Sequence, residues 1–498
     1  FRERMAKLQG RLVPVQPLAR IFFPKQAAVW AQAPTRCKMD QSITELLRQP
    51  QYDRFKEFVS THVRSNGTFA GLHVRMEAKL CNPRADITVS THRHLVPAVL
   101  KHLPLLVPTT PDEPLFDIDK FRLNEKSSVG YPYFMEANMN NVHEFKMSCL
   151  TTLNPKMLEQ KDKPILKEHT TILEHAIYIA NYLASGLGGC PKIEVALQQW
   201  ASIQQQVPWI NTFLLKRKEE IGPRDEILTK ARPYGVQPLP ARLMSMIAVR
   251  ALDRRMQNFE ENPDSISAYK FCPYYGGAER LVKHFGRRLE SRNCVCVAYG
   301  DDALWGFRFD NGKIAILGPD VASMDMSTTN HHAVRVLDWL FSDKSIKKYH
   351  KNLLAVWATL AFNHQLAIGG PFVMAKSNSL ISGVPGTTQM NIVNSAYIWA
   401  IVEEEFLKDR REEQFKYVLD RAMQKIQNIL NFKFKPLDDT NREAFTSLDD
   451  FLAKGTRVPF LQTTFKRHEK GLIVALPADT TKLIGPLAMP PNGPITNQ

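Results

Sequence analysis

Two adjacent carboxylates stand out in the stretch AYGDDALW at residues 298–305. Asp301 and Asp302 follow a glycine and separate two apolar runs, CVCV before them and ALWGFRF after them. This pattern predicts a strand, a tight turn and a second strand, with both carboxylates at the turn. Because Gly and Asp are common in turns of any kind, two interpretations remain at this point: an ordinary turn, or part of a metal site.

A third carboxylate becomes a neighbour of this pair if the next turn lies at Asp-Asn-Gly, residues 310–312. Such a turn between apolar runs predicts a hairpin centred on Asn311. Residues at equal distances from Asn311 then face one another, so that Asp302 faces Asp320. Opposed side chains on neighbouring strands have Cβ atoms about 4.5–5.5 Å apart. We therefore expect Asp301, Asp302 and Asp320 to gather at one end of a three-stranded meander.

Three carboxylates this close to one another favour bound cations, because their charges otherwise repel. Oxygen ligands alone suit a hard ion, Mg²⁺ or Mn²⁺. Two such ions about 3.5–4 Å apart can activate a hydroxyl nucleophile and stabilise the leaving oxygen of a phosphoryl transfer. The residues thus predict a site for two divalent metal ions that performs phosphoryl-transfer chemistry.

Further motifs surround these carboxylates. DVASMD at residues 320–325 has the form D-x4-D, and SGVPGTTQMN at 382–391 is a glycine loop that runs into a helical pattern. Together with YGDD, these motifs resemble the palm of viral RNA-dependent RNA polymerases. Upstream, SSVGYPY at 127–133 is similar to the template-channel motif of picornavirus-like polymerases, and KAR at 230–232 to their basic fingers motif. FLQTTFKR at 460–467 resembles their primer-grip hairpin.

The order of these motifs departs from most of that family, because GDD comes before D-x4-D instead of after the glycine loop. This permuted order, C-A-B in place of A-B-C, is typical of birnavirus and permutotetravirus polymerases. Birnavirus polymerases lack a GDD, so the chain resembles the permutotetravirus type more closely. The short turn at 310–312 makes the reordering feasible, since it joins two strands that are neighbours in the ordinary palm.

The resemblance implies roles for individual residues. Asp301 and Asp320 would carry the two metals with help from Asp302, while Asp325 and Asn391 would read the ribose hydroxyl. An Asp at position 325, where a reverse transcriptase would be expected to have a bulky aromatic residue, favours ribonucleotides. Either Lys433 or Lys435 would protonate the departing pyrophosphate, and the sequence does not choose between them.

The remaining expected contacts are with substrates. Thr387 is also expected to cap the following helix. The basic run at 216–218 has a second interpretation besides nucleotide binding, which is a solvated charged face. For nucleotide binding the candidates are Ser382, Gly383, Thr387, Arg232, Lys230, Arg217 and Lys218, and for RNA they are Ser127, Ser128, Gly130, Gly386, Lys466 and Arg467.

These motifs require a right-hand α+β polymerase fold, with a permuted antiparallel palm sheet flanked by helices and with a thumb that is truncated or missing from this chain. Helical spacing of apolar residues recurs at 172–187, 243–256 and beyond residue 330, whereas alternation dominates 293–320. The predicted parts are an N-terminal arm and fingers extension (1–125), fingers with a palm helix (126–290), palm (291–345), a fingers insertion (346–380), palm (381–476) and the start of a thumb or tail (477–498).

The bulk composition agrees with this interpretation. The chain has 498 residues and a net charge of +15, which favours a polyanionic partner, although a merely basic soluble protein has the same charge. Its seven cysteines include no C-x-x-C, which argues against disulfides and zinc ribbons and for a reducing compartment. No apolar run is long enough to predict a membrane span. Because the chain begins with Phe, we expect residues upstream of it.

The function predicted is replication and transcription of a viral RNA genome by an RNA-directed RNA polymerase. Expected partners are template and nascent RNA, nucleoside triphosphates and other viral proteins, in the host-cell cytoplasm or packaged in the virion. Two alternatives remain open. One is a birnavirus-like polymerase that nucleotidylates itself and uses protein priming; the other is a non-catalytic basic virion protein that binds RNA.

Overall fold

The computed structural model combines helices with small, mainly antiparallel sheets. It describes residues 12–13, 53, 57, 60–64, 89–107, 212–217, 221–223, 233–237, 239–322, 324–328, 330–346, 351, 354, 357–358, 360–362, 364–367, 374–377, 380–437, 443–454 and 458–478. Within these ranges, no helix has the length and apolar character needed to cross a membrane. The predicted helix at 172–187 lies outside the described residues.

The strands are β1 (Leu12–Val13), β2 (His62–Arg64), β3 (Thr212–Arg217), β4 (Ile221–Pro223), β5 (Pro233–Val236), β6 (Cys294–Tyr299), β7 (Asp302–Arg308), β8 (Ile314–Leu317), β9 (His364–Ala367), β10 (Met374–Ser377), β11 (Ala444–Phe445), β12 (Thr463–Arg467) and β13 (Ile473–Pro477). The α-helices are α1 (Val96–His102), α2 (Leu239–Arg255), α3 (Gly277–Arg292), α4 (Met324–Ser327), α5 (Asn330–Leu340), α6 (Thr387–Lys408), α7 (Phe415–Leu430) and α8 (Leu448–Lys454).

The central sheet has the strand order β11-β8-β7-β6, and its strand pairs are antiparallel. In the hairpin of β7 and β8, Trp305 pairs with Leu317 and Arg308 with Ile314, which is the register predicted for a turn centred on Asn311. The turn closes with a hydrogen bond from the Gly312 amide to the Phe309 carbonyl. The predicted meander of three strands is therefore confirmed.

Both faces of this sheet are buried, which explains why its strands read as nearly continuous apolar runs. Side chains alternate between two hydrophobic clusters: Cys294 and Cys296 point into one, and Val295 and Val297 into the other. The two cysteines are buried and free, which fits residues that pack in the core. The sheet is thus the middle layer of three.

Helix α6 fills the layer on one side and is buried along most of its length, together with α5, α7 and α1. Aromatic rings join it to the sheet, with Trp305 and Trp399 centroids 5.9 Å apart and those of Phe307 and Phe406 4.8 Å apart. On the other side lie α3 and the β12–β13 hairpin. The sheet is held rigidly between these layers, so its loop ends have a fixed position.

A second sheet has the order β1-β10-β9-β3-β5, and β2 pairs separately with β4. Within it, β3 is antiparallel to β5 and parallel to β9. Its β5 strand touches the glycine loop, because the Gly235 amide donates to the Ser382 carbonyl at 2.9 Å. This contact joins the second sheet to the start of α6.

Candidate active site

The first element of the site is the hairpin of β6 and β7, in which Tyr299 pairs with Asp302. Only Gly300 and Asp301 remain in the turn, and Gly300 has φ +64°. A two-residue hairpin turn with positive φ at its first position favours Gly there. Asp301 and Asp302 are exposed at the end of an otherwise buried sheet. The glycine of GDD therefore makes the turn. The sheet behind it fixes the position of the backbone that carries both carboxylates.

The second element is the continuation of β8. Asp302 and Asp320 pair in an antiparallel bridge, as predicted from the sequence. The Asp320 side chain is 59% exposed. The carboxylates of Asp301, Asp302 and Asp320 thus lie at one end of the sheet, where their like charges favour cation binding.

The structure bears on the metal in two ways. Three aspartates at one exposed edge are the oxygen donors that a hard divalent cation prefers. Among the described residues, however, no three His, Cys, Asp or Glu side chains converge closely enough to form a metal cluster. The donor chemistry of Asp301, Asp302 and Asp320 fits such an ion, and the closed geometry of a metal site is not present.

Lys435 lies at the Asp320 carboxylate. Residues 320–322 pair with residues 433–435: the Lys435 amide donates to the Asp320 carbonyl at 2.9 Å, and the Ala322 amide donates to the Lys433 carbonyl at 2.7 Å. The Lys435 ammonium also forms an ion pair with the Asp320 carboxylate. Between the two lysines, Phe434 packs on Trp305, with ring centroids 5.9 Å apart. The structure therefore distinguishes lysines that the sequence left equivalent.

The two residues expected to read the sugar, Asp325 and Asn391, are brought together as well. Asn391 on α6 donates from Nδ2 to Oδ1 of Asp325 on α4, at 2.8 Å. Asn391 is 2% exposed, and no donor in the described part of the chain reaches its Oδ1. The pair therefore has an amide oxygen that can accept a hydrogen bond from a hydroxyl group.

The glycine loop depends on two residues in the left-handed region. Gly383 has φ +103°, and a Cβ on it would lie 2.6 Å from the Gly235 carbonyl oxygen. Gly386 has φ +90°, and its Cβ would lie 2.7 Å from both Trp357 and Val249. Side chains at these positions would be strained and would clash with their neighbours. Ser382 is held through its carbonyl, which accepts from the Gly235 amide.

The predicted cap at Thr387 is wrong. The residue before α6 is Gly386, which has no side chain to cap the helix. Thr387 is already inside the first turn, and its hydroxyl donates to the Val384 carbonyl at 2.7 Å. The hydroxyl therefore closes the glycine loop instead of capping the helix, and the Thr387 amide donates to the same Val384 carbonyl at 3.2 Å.

The basic residues expected to bind RNA and nucleotide are only partly described. Lys466 and Arg467 lie on β12, both exposed, and Arg467 pairs with Asp449 and donates to the Gly471 carbonyl at 3.2 Å. Arg217 lies on β3 opposite Pro233, with only its backbone described. Lys218, Lys230, Arg232, Ser127, Ser128 and Gly130 lie outside the described residues.

Sequence reasoning missed a buried network beside the site. The side-chain amide of Gln389, in the first turn of α6, donates from Nε2 to the Asp253 carboxylate on α2 at 2.6 Å. Burial and then Asp253 raise the pKa of Tyr269, which hydrogen-bonds to that carboxylate. The Tyr269 ring is 6.5 Å from the ring of Tyr299, the residue before GDD. No local signal marks this network, because its members come from separate helices and loops.

Comparisons with known proteins agree with this geometry. Residues 196–426 match the palm domain of permutotetravirus RNA-dependent RNA polymerases. No curated protein sequence matches the chain. The structure of the birnavirus VP1–VP3 complex is similar, with a TM-score of 0.60 and 16% identity over 96% of this chain. The structure of the RNA polymerase VP1 from infectious pancreatic necrosis virus is also similar, with a TM-score of 0.61 and 15% identity over 96% of this chain.

The chain spans 61% of the length of both solved chains. At this level of identity the likeness establishes the fold: a viral RNA polymerase fold with an antiparallel palm sheet flanked by helices. In the sequence GDD precedes the D-x4-D segment, and the β7–β8 hairpin joins the two. Residues 196–426 are therefore similar to the palm domain of permutotetravirus RNA-dependent RNA polymerases.

Proposed function

We propose that this chain is the catalytic part of an RNA-directed RNA polymerase that copies a viral RNA genome from ribonucleotides. The observation that carries the proposal is the bridge between Asp302 and Asp320, which lies beside the GDD turn. Its support is the hydrogen bond between Asp325 and Asn391 just beyond Asp320 in the chain, at 2.8 Å. The palm match over residues 196–426 supports the same activity.

The proposed reaction is attack by a primer 3′-hydroxyl on the α-phosphate of a nucleoside triphosphate. A new P–O bond forms, the bond to the β-phosphate bridging oxygen breaks, and pyrophosphate leaves. Mg²⁺ or Mn²⁺ bound at Asp301, Asp302 and Asp320 would lower the pKa of the primer 3′-hydroxyl and neutralise negative charge on the phosphates. Lys435 is the better candidate to donate a proton to pyrophosphate, because its ammonium contacts Asp320.

Ribonucleotide choice would rest on Asp325 and Asn391. The buried Asn391 oxygen, which no donor of the described residues reaches, would gain a hydrogen bond from a 2′-hydroxyl, whereas a deoxynucleotide would leave it unpaired. The Asp325 carboxylate fixes the orientation of the amide by accepting from Nδ2. Selection of the sugar therefore needs both side chains.

The test is RNA-templated nucleotide incorporation by the full chain with Mg²⁺ or Mn²⁺. Asp301→Asn and Asp320→Asn should abolish incorporation and leave folding and RNA binding intact, because both side chains are exposed. Asp310→Asn is the matched control: it lies at the other end of the β7–β8 hairpin and pairs with Arg410 at 2.5 Å. Its incorporation rate should equal that of the parent.

Other outcomes would select other functions. RNA binding without any incorporation, unaffected by either aspartate, would overturn the proposal in favour of a non-catalytic RNA-binding protein. Label from a nucleoside triphosphate that becomes covalently attached to the protein without template would identify a self-nucleotidylating polymerase. Equal loss in Asp310→Asn and Asp320→Asn would mean that the substitutions act through the fold.

A further inference from the structure

Two exposed tyrosines precede α3 and have no role in the site described above. Tyr275 is 96% exposed and Tyr274 47%. Tyr275 also has φ +54°, in the left-handed region that is unfavourable for a residue with a Cβ. Packing explains neither the exposed ring nor the strained backbone of Tyr275.

The turn that presents these rings is held firmly. The Gly277 amide donates to the Tyr274 carbonyl at 3.0 Å, and Nη1 of Arg280 donates to the Tyr275 carbonyl at 3.3 Å. Gly277 lies so close to the backbone of Cys272 that a Cβ would be 1.8 Å from its carbonyl oxygen. A backbone fixed in this way can present the ring to a flat partner with little loss of backbone conformational entropy.

The turn lies at the same end of the palm sheet as the carboxylates. Helix α3 packs on β6 and β7, and only Asn293 separates its end from the start of β6, so the two run in opposite directions. Their lengths are similar, about 24 Å for the helix and about 20 Å for the strand. The start of α3 is therefore near the end of β6, where the GDD turn begins.

The helix that follows the turn is net basic, although Arg280 pairs with Glu260 and Lys283 with Glu279. Helix α3 contains five Arg or Lys residues and two Glu residues, and Arg280, Lys283 and Arg287 are exposed on it. The β13 strand packs against α3, and its hairpin partner β12 carries exposed Lys466. Within the described residues, α3 itself has no exposed large apolar side chain. Isolated aromatic rings on a basic surface fit nucleic acid better than an apolar protein partner.

We propose that Tyr275, with Tyr274 beside it, stacks on an unpaired base of the RNA strand that passes the GDD turn. The inference rests on the proposed polymerase function and adds a contact for its nucleic acid. Stacking on a ring needs no particular base, so the contact would hold RNA of any sequence.

The test measures the binding of fluorescently labelled single-stranded RNA to the full chain by anisotropy over a range of salt concentrations. Tyr275→Ser should weaken binding by about five-fold or more, without changing the salt dependence, because no charge is removed. Tyr275→Phe keeps the ring and should bind like the parent. Tyr417→Ser is the matched control, since Tyr417 is 68% exposed on α7.

The possible results separate this inference from the proposed function. A parent that incorporates nucleotides, with unchanged RNA affinity in Tyr275→Ser, would overturn the stacking contact alone. A parent that neither binds RNA nor incorporates nucleotides would overturn the proposed function first. Equal weakening in Tyr275→Phe would mean that the hydroxyl binds instead of the ring. If Tyr275→Ser had the RNA affinity of the parent but a different oligomeric mass in solution, the turn would be a protein contact and the stacking proposal would be wrong.

Discussion

Asp302 and Asp320 are direct partners across two antiparallel strands, and Lys435 neutralises one of them. The relationship follows from the length of one turn, because the register between Trp305 and Leu317 extends without a bulge to the two aspartates. A permuted palm can keep its carboxylates together for this reason: the permutation changes which strand ends are joined and leaves the neighbours in place.

The contact between Lys435 and Asp320 predicts unequal effects for the two lysines of this segment. Lys435→Met should lower the maximal rate of nucleotide incorporation about 100-fold or more, the size expected when a general acid is lost. Lys433→Met is the matched control, since Lys433 is exposed two residues away and, among the described residues, contacts Ala322 through its backbone alone. Its rate should stay within a few-fold of the parent. Pre-steady-state incorporation measures both, and a larger loss in Lys433→Met would contradict the assignment.

The hairpin register could be predicted because it depends on local signals. Asp-Asn-Gly fixes the turn, and alternation in β7 and β8 fixes which residues face each other. Helix α3 was not predicted, although Leu281, Phe285 and Leu289 recur at every fourth residue and are buried. Its many basic residues and Gly286 weaken the helical pattern, and burial against the β12–β13 hairpin stabilises it instead.

The hydrogen bond between Asn391 and Asp325 predicts how sugar choice can be relaxed. Asp325→Ala removes the acceptor that orients the amide, so discrimination between ribonucleotide and deoxynucleotide should fall about 10-fold or more, as expected for a hydrogen bond to a charged group. The ratio of kcat/KM for the two nucleotides measures it. Asn394→Ala is the control: Asn394 is a fully buried amide one turn further along α6. Its ratio should match the parent, and a similar fall in Asn394→Ala would point to general disturbance of the helix.

The close approach of Gly383 to Gly235 predicts that the glycine loop tolerates no side chain. Gly383→Ala should destabilise the protein by more than the roughly 1–2 kcal/mol of left-handed strain, because its Cβ would also meet a backbone carbonyl at 2.6 Å. Incorporation should fall as well. Gly471→Ala is the matched control, with φ +80° and no neighbouring atom within 4 Å. Urea denaturation should show strain alone for Gly471→Ala, and equal losses in both variants would contradict the role of the contact.

The sequence predicted the residues of the site better than their partners. Asp325 and Asn391 were paired through a motif, whereas Gln389 and Asp253 meet only because α2 and α6 pack together. The predicted cap at Thr387 failed for a local reason, since a glycine in the left-handed region begins the helix. Contacts between distant segments depend on packing, and spacing along the chain does not encode it.

His284 on α3 predicts a pH dependence of stability that is separate from catalysis. Burial, followed by the charges of Arg288 and Arg287, lowers its pKa to about 4 from 6.5. Between these values the unfolded chain binds a proton that the folded protein does not, so stability should fall as the pH decreases from about 6.5 to about 4. The slope should be at most about 1.4 kcal/mol per pH unit.

His284→Gln should reduce this slope, because it removes one group that binds a proton in the unfolded chain only. Burial also lowers the pKa of His92 from 6.5, so His92 contributes a slope of the same sign. The carboxylate of Glu403, which lines the same small cavity, has a pKa below its usual 4.5, so its contribution is lost mainly at lower pH. His468→Gln is the control, since His468 is exposed. Urea denaturation at pH values from 4 to 7 measures the free energy of unfolding for each variant. A slope in His284→Gln equal to that of the parent would assign the effect to other titrating groups, such as His92.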